Sequence, residues 1–164
     1  MKNEAQFKVA WKKSVVGAKG TSISLSAPVF PGIPDMLTIL PGYAPVLIEA
    51  KWLGSIERNK FARKMQYTAM QIRWIEECCA VNTYSALGLA GFRMQNEYYA
   101  VLVPYNSKYF AQLTEKFLED GVFSRLQNGR FDVLSMFEQI PIPRLNYGPP
   151  RRIAGPGQAE DYAC

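Results

Sequence analysis

Three side chains with usable chemistry sit in a stretch that is otherwise apolar. Residues 30–53 read FPGIPDMLTILPGYAPVLIEAKWL, and the charged residues in it are Asp35, Glu49 and Lys51. DMLTIL and PVLIEAKWL read as strands, and PGYAP between them reads as a turn in which Gly42 is able to take a positive φ. Glu49 and Lys51 are two apart on one strand, so they point to one face. If the two strands pair as a hairpin, their outer ends meet and Asp35 lies near Glu49 and Lys51. Two carboxylates and a lysine are costly to keep dry unless something pairs the charges. A hard divalent cation, Mg²⁺ or Mn²⁺, does that with oxygen ligands, here Asp35, Glu49 and the carbonyl of Ala50. Lys51 stays free to orient or deprotonate a water, or to stabilise charge on a phosphate oxygen. That arrangement suits phosphodiester hydrolysis.

Composition narrows the chemistry. The chain has no histidine, which excludes Ser-His-Asp and Cys-His triads and any imidazole-held metal. Cys78 and Cys79 are adjacent and Cys164 is the third cysteine. That spacing is neither a disulfide framework nor a zinc site, and the adjacent pair reads as small core residues on a helix. A length of 164 residues suits one domain with a real core. No run approaches the ~18 apolar residues of a membrane span. MKNEAQFKVAWKKS lacks the apolar centre of a signal peptide, so a cytoplasmic location with no membrane partner is expected.

The formal net charge is +5, and its distribution matters more than its size. Lys2, Lys8, Lys12, Lys13 and Lys19 crowd the first twenty residues, against Glu4. Lys51, Arg58, Lys60, Arg63, Lys64 and Arg73 form a second cluster. A charge run is usually a solvated surface. Two such runs bracketing a pair of acids point instead to nucleic acid, with Lys12, Lys13, Lys19, Arg58, Lys60 and Lys64 as phosphate contacts. Ser22, Ser24 and Ser26 alternate as on the wet face of a strand, and Arg151 and Arg152 lie too far into the C-terminal segment to be assigned.

The elements that must position these residues follow from periodicity. Phe7, Ala10, Trp11 and Val15 have helical spacing over residues 3–15, with Glu4 one turn before Phe7. GAKGTS breaks that helix, and TSISLSA alternates as a strand. Pro28, Pro31 and Pro34 make the next connection irregular. After the hairpin a long helix is predicted over residues 57–81. Its buried stripe is Phe61, Met65, Ala69, Ile72, Ile75 and Cys79, with Lys64, Thr68, Gln71 and Cys78 on an adjacent ridge. TYSALGLAGF and EYYAVLVP are strands joined by a hairpin at RMQN. NSKYFAQLTEKFLEDG reads as a helix capped by Ser107 and stopped by Gly121. Residues 122–140 are ambiguous between helix and strand. The expected fold class is α/β, a small mixed β-sheet flanked by helices in the order α-β-β-β-α-β-β. A single domain over residues 1–140 is followed by a Pro-rich, flexible tail over 141–164.

GIPD, thirteen intervening residues and then EAK resemble the PD-(D/E)xK nuclease superfamily. Pro34-Asp35 match its PD element and Glu49-Ala50-Lys51 its (D/E)xK element. TAMQIRWI, with Thr68, Gln71 and Trp74, is similar to the helix after the motif in virus-type replication-repair nucleases and small Holliday-junction resolvases. The resemblance spans about residues 1–103. It implies a restriction-endonuclease-like core in which Asp35, Glu49, Lys51 and Gln71 are catalytic. It implies Glu4 as an extra metal ligand from the first helix, beside Asp35, Glu49 and Ala50. The activity implied is divalent-metal-dependent endonucleolytic cleavage of DNA. A structure-specific, Holliday-junction-resolvase-like enzyme is favoured because no separate sequence-reading module is visible, and branch recognition can rest on phosphates and shape. Such an enzyme cuts two strands symmetrically, so a C2 homodimer is expected.

Each residue also has a plainer reading. Asp35 fits a turn cap, Glu49 and Lys51 a same-face ion pair, Glu4 an acid at a helix N-terminus, and Gln71 a polar residue at the stripe's edge. The rival functions are a repair, packaging or restriction-type nuclease on the same fold, a non-catalytic nucleic-acid-binding module, and an accidental motif. Wide separation of Asp35 from Glu49 and Lys51 would favour the last. A small basic chain also suits a phage or mobile-element protein.

Overall fold

Asn3 starts the first helix, α1 (Glu4–Gly17), because its side-chain oxygen accepts the Gln6 N–H at 3.0 Å, one of the donors a helix start leaves free. The computed structural model describes residues 1–25, 32–57, 62–114, 116–117 and 121–145. After α1 come β1 (Thr21–Ser24), β2 (Met36–Ile39), β3 (Val46–Ser55) and β4 (Ala62–Lys64). Helix α2 (Ala69–Val81) leads to β5 (Ala86–Met94) and β6 (Glu97–Pro104), then β7 (Gln112–Thr114), β8 (Val122–Arg125) and α3 (Val133–Glu138). Among the described residues no helix is long and apolar enough to cross a membrane.

Six strands form one mixed sheet in the order β1-β2-β3-β5-β6-β8, while β4 and β7 pair apart from it. The β3–β5 pair is parallel and every other pair is antiparallel. A parallel pair needs a crossover, and the segment carrying α2 supplies it. The β5–β6 hairpin turns at Gln95 and Asn96, whose φ of 49° and 65° are the positive values a two-residue primed turn requires. The order α-β-β-β-α-β-β is thus present, with β4, β7, β8 and α3 added to it.

Strand alternation sends side chains to two separate cores. Val46, Ile48 and Ala50 of β3 join Phe7, Trp11 and Val15 of α1 and Met136 and Phe137 of α3 on one face. Leu47 and Leu53 of β3 point to the other, with Ile75 of α2, Phe92, Val101, Phe110 and Leu113. Gly91 lets α1 lie flat, since a Cβ there would be 2.6 Å from the ring of Phe7. Ser14 ties α1 to the chain before α3 by accepting the Phe131 N–H at 2.9 Å. Trp11 Nε1 donates to Thr38 Oγ1 on β2 at 3.4 Å.

Three expectations need correction. The long helix over 57–81 is only its second half. Met65 is buried as expected, but it follows β4, and α2 begins at Ala69 because Thr68 and Gln71 form a reciprocal capping box. Phe61 of the expected stripe lies outside the described residues, Ala69 is exposed, and Ile75 is the stripe residue on α2 that is fully buried. The helix expected over NSKYFAQLTEKFLEDG is also absent from residues 106–114, while residues 115 and 118–120 lie outside the described residues. Ser107 accepts the Tyr109 N–H within a turn, and Gln112–Thr114 is a strand on β4. Tyr109, Phe110, Leu113 and Phe117 are buried at spacings that mimic a helix, but tertiary pairing decides the backbone. Finally, residues 141–145 pack on the PGYAP turn. Ile142 is buried, Ala44 N–H donates to the Pro143 carbonyl at 2.8 Å, and Leu145 N–H donates to the Gly42 carbonyl at 3.0 Å. The expected tail beyond Leu145 lies outside the described residues, as does the irregular connection at Pro28 and Pro31.

Candidate active site

Antiparallel pairing sets Met36 opposite Ile48, so one place further out Asp35 comes opposite Glu49. Asp35 Oδ2 accepts the Ala50 N–H at 2.9 Å, which fixes the carboxylate against β3. Ala50 therefore touches Asp35 through its N–H, while the sequence reading assigned its carbonyl to a metal. Lys51 Nζ donates to Glu49 Oε1 at 2.7 Å, as same-face neighbours on a strand allow. Wide separation would have favoured an accidental motif, and Asp35, Glu49 and Lys51 instead lie together.

Gln71 reaches the same cluster from α2. Its side-chain amide donates to Glu49 Oε1, and its Oε1 accepts from Lys51 Nζ at 3.3 Å. The same Oε1 accepts the Thr68 N–H at 2.9 Å, while Thr68 Oγ1 accepts the Gln71 N–H at 3.2 Å. The cap that starts the helix thus also aims the glutamine at Glu49.

Glu49 is 1% exposed, and its Oε2 is a buried oxygen with no hydrogen-bond partner. Burial raises its carboxyl pKa above the ordinary value of 4.5. The Asp35 charge adds to that, and Lys51 and Lys8 oppose it without cancelling it. A second lysine acts on Asp35. Lys8 Nζ lies 2.5 Å from Asp35 Oδ1 and 2.9 Å from Glu4 Oε1. Burial disfavours the Lys8 charge, but the two acids outweigh it and its pKa is raised. Glu4, expected as a direct ligand, meets Lys8. Among the described residues no three His, Cys, Asp or Glu side chains are grouped to hold a metal. The acids facing each other are Asp35 and Glu49.

Two neighbours of the site escaped the sequence reading. Lys8 had a visible signal, its i,i+4 spacing from Glu4. Tyr67 had none. Its hydroxyl is buried without a partner beside Gly88, the residue paired with Glu49. Its ring stacks on Phe110 at 4.4 Å, and Lys51 Nζ lies 5.7 Å from the ring centre. Burial, with the Glu49 charge adding to it, raises the Tyr67 pKa, so the hydroxyl stays a neutral donor.

The basic residues are spread more widely. Lys12 and Lys13 line a groove of about 650 Å³ with Val9, Val16, Asn128, Gly129 and Arg130. Lys12 Nζ also donates to Ser24 Oγ at 2.5 Å. Lys19 is exposed just beyond α1 and Lys64 is exposed on β4. Arg58 and Lys60 lie outside the described residues. Arg130 reaches α1 only through the fold, which its sequence neighbours do not announce.

No protein-family model and no curated protein matches the chain. Among solved structures it is similar to Hjc, a Holliday junction resolvase from the archaeal hyperthermophile Archaeoglobus fulgidus. The TM-score is 0.48 at 13% identity, over 72% of this chain and 88% of that one. The functional reading rests on the geometry of Asp35, Glu49, Lys51 and Gln71.

Proposed function

We propose that the chain is a divalent-metal-dependent endonuclease that hydrolyses DNA phosphodiester bonds, with branched DNA as its substrate. The observation that supports this most is the buried, unpartnered Glu49 Oε2 next to Asp35 and Lys51. An ionised oxygen without a donor is costly in a dry site, and a cation relieves that cost. The donor set is all oxygen, with no histidine in the chain, which fits Mg²⁺ or Mn²⁺. Asp35, Glu49 and the Ala50 carbonyl would hold the ion. When bound, it supplies Lewis-acid stabilisation of charge on a phosphate oxygen and a more acidic water.

The chain's own residues do the positioning. The Ala50 N–H holds Asp35 by one oxygen, and Gln71 fixes the Glu49 carboxylate. Glu49 and Gln71 hold the Lys51 ammonium at the site, where it orients a water or meets the phosphate. Lys12, Lys13, Lys19, Arg58, Lys60 and Lys64 serve as phosphate contacts, which carry no base information and leave recognition to DNA shape. Symmetric cutting of a junction then calls for two such sites in a C2 dimer.

The test is cleavage of a labelled four-way junction and a matched linear duplex, with Mg²⁺ or with EDTA, by wild type and Asp35→Asn. The expected result is metal-dependent cutting of the junction, falling by about two orders of magnitude or more in the variant. Equal cutting of both substrates would discard branch specificity and keep the nuclease. A folded protein that neither cuts nor binds Mn²⁺ would return the chain to the non-catalytic binding module.

A further inference from the structure

We propose that Lys8 is a built-in cation for the Glu4–Asp35 pair, so that the site takes one divalent ion per chain rather than two. The inference rests on the nuclease reading above and concerns how many ions that site accepts. Lys8 Nζ sits between two carboxylates, 2.5 Å from Asp35 and 2.9 Å from Glu4. That is the place a second ion would need if Glu4 and Asp35 were to share it. The ammonium is held there by its helix, since Phe7 and Trp11 on either side of Lys8 are fully buried against the sheet. Asp35 has donors on both oxygens, Lys8 on Oδ1 and the Ala50 N–H on Oδ2. Glu49 differs, because Lys51 and Gln71 share Oε1 and leave Oε2 open. One open acceptor and one filled cation place therefore lie side by side.

Charge agrees with this count. Three carboxylates (Glu4, Asp35 and Glu49) face two ammoniums (Lys8 and Lys51), leaving a single negative charge. One divalent ion reverses that to a single positive charge. A second would add two more within a cluster that already holds two lysines, and like charges at this range repel strongly.

The experiment is Mn²⁺ binding to the full chain, with stoichiometry from calorimetry and from the electron paramagnetic resonance signal of free Mn²⁺. The proteins are wild type, Lys8→Met, Lys8→Arg and the double variant Lys8→Met/Glu4→Gln. Wild type and Lys8→Arg should bind one ion. Lys8→Met should bind two, and the double variant should return to one. Lys8→Gln repeats the test if Lys8→Met does not fold. Two ions in wild type, or one ion in every folded variant, would overturn the proposal. No Mn²⁺ bound by wild type would instead sink the metal-dependent nuclease reading and this proposal with it.

Discussion

Replacing Gly88 by alanine should destabilise the protein, and the same change should stabilise it once Tyr67 is replaced by phenylalanine. Gly88 lies in β5 without a left-handed φ, so its backbone accepts a side chain. The obstacle is packing. A Cβ at Gly88 would collide with the Tyr67 hydroxyl, while its distances to Phe110 Cε2 and Tyr67 Cζ, 3.4 and 3.5 Å, are tolerable. Tyr67 has little room to retreat, because its ring is stacked on Phe110. Overpacking of this kind costs about 1–3 kcal/mol, against about 0.4–1 kcal/mol regained from a stiffer unfolded chain. At the middle of each range the net loss for Gly88→Ala is then about 1.3 kcal/mol. In the Tyr67→Phe background the colliding oxygen is gone, and the change should gain about 0.4–1 kcal/mol. Tyr67→Phe alone breaks no hydrogen bond, since the hydroxyl has no partner. Urea denaturation of the four proteins in EDTA gives the double-mutant cycle, provided the m-values agree. Additive effects, or the same sign for Gly88→Ala in both backgrounds, would refute the placement of the hydroxyl against Gly88.

Other predictions address the cap, the buried acid and the ion. Thr68→Ala should cost about 1 kcal/mol of stability and lower DNA cleavage, because the cap that aims Gln71 is lost, whereas Thr68→Ser should keep both; unchanged cleavage in Thr68→Ala would show that Gln71 needs no cap. Glu49 is predicted to make the ion-free protein less stable as pH rises. Its folded pKa is above 4.5, so between 4.5 and that folded value the native state holds a proton the unfolded chain has released, and stability falls across the window. Thermal melts in EDTA should show that slope in wild type and not in Glu49→Gln; equal slopes would contradict it. Mn²⁺ at about a hundredfold excess over its dissociation constant should stabilise wild type by about 2.7 kcal/mol and leave Glu49→Ala unchanged, as read from urea midpoints.

The parts of the fold that depend on neighbours in sequence were legible, and those that depend on distant partners were not. Helix α1 and the strands around PGYAP follow local spacing. The hairpin register then brings Asp35 to Glu49 without further information. The β4–β7 pair joins residues 62–64 to 112–114, and nothing local to either segment announces it. Both misread helices fall on that pair, since Met65 continues a helical stripe and Phe110 and Leu113 start one. Thr68-x-x-Gln71 was a readable stop on the first of these errors, because a capping box marks a helix start. Lys8 looks like half of an ordinary helix pair until Asp35 arrives from 27 positions away. Tyr67 becomes part of the site only through the opening that Gly88 leaves beside Glu49.

The cluster draws its parts from both sides of the sheet. Lys8 comes with the layer packed through Phe7 and Trp11, Gln71 comes with the layer anchored by Ile75, and Asp35 and Glu49 stand between them. A chain in which one layer has docked and the other has not lacks either the Lys8 contact to Asp35 or the Gln71 contact to Glu49. For a protein that cuts DNA as proposed, such a half-built molecule would be inert, so activity appears only at the end of folding. On that proposal the competent site is the last part of the molecule to be completed, because it needs both layers at once.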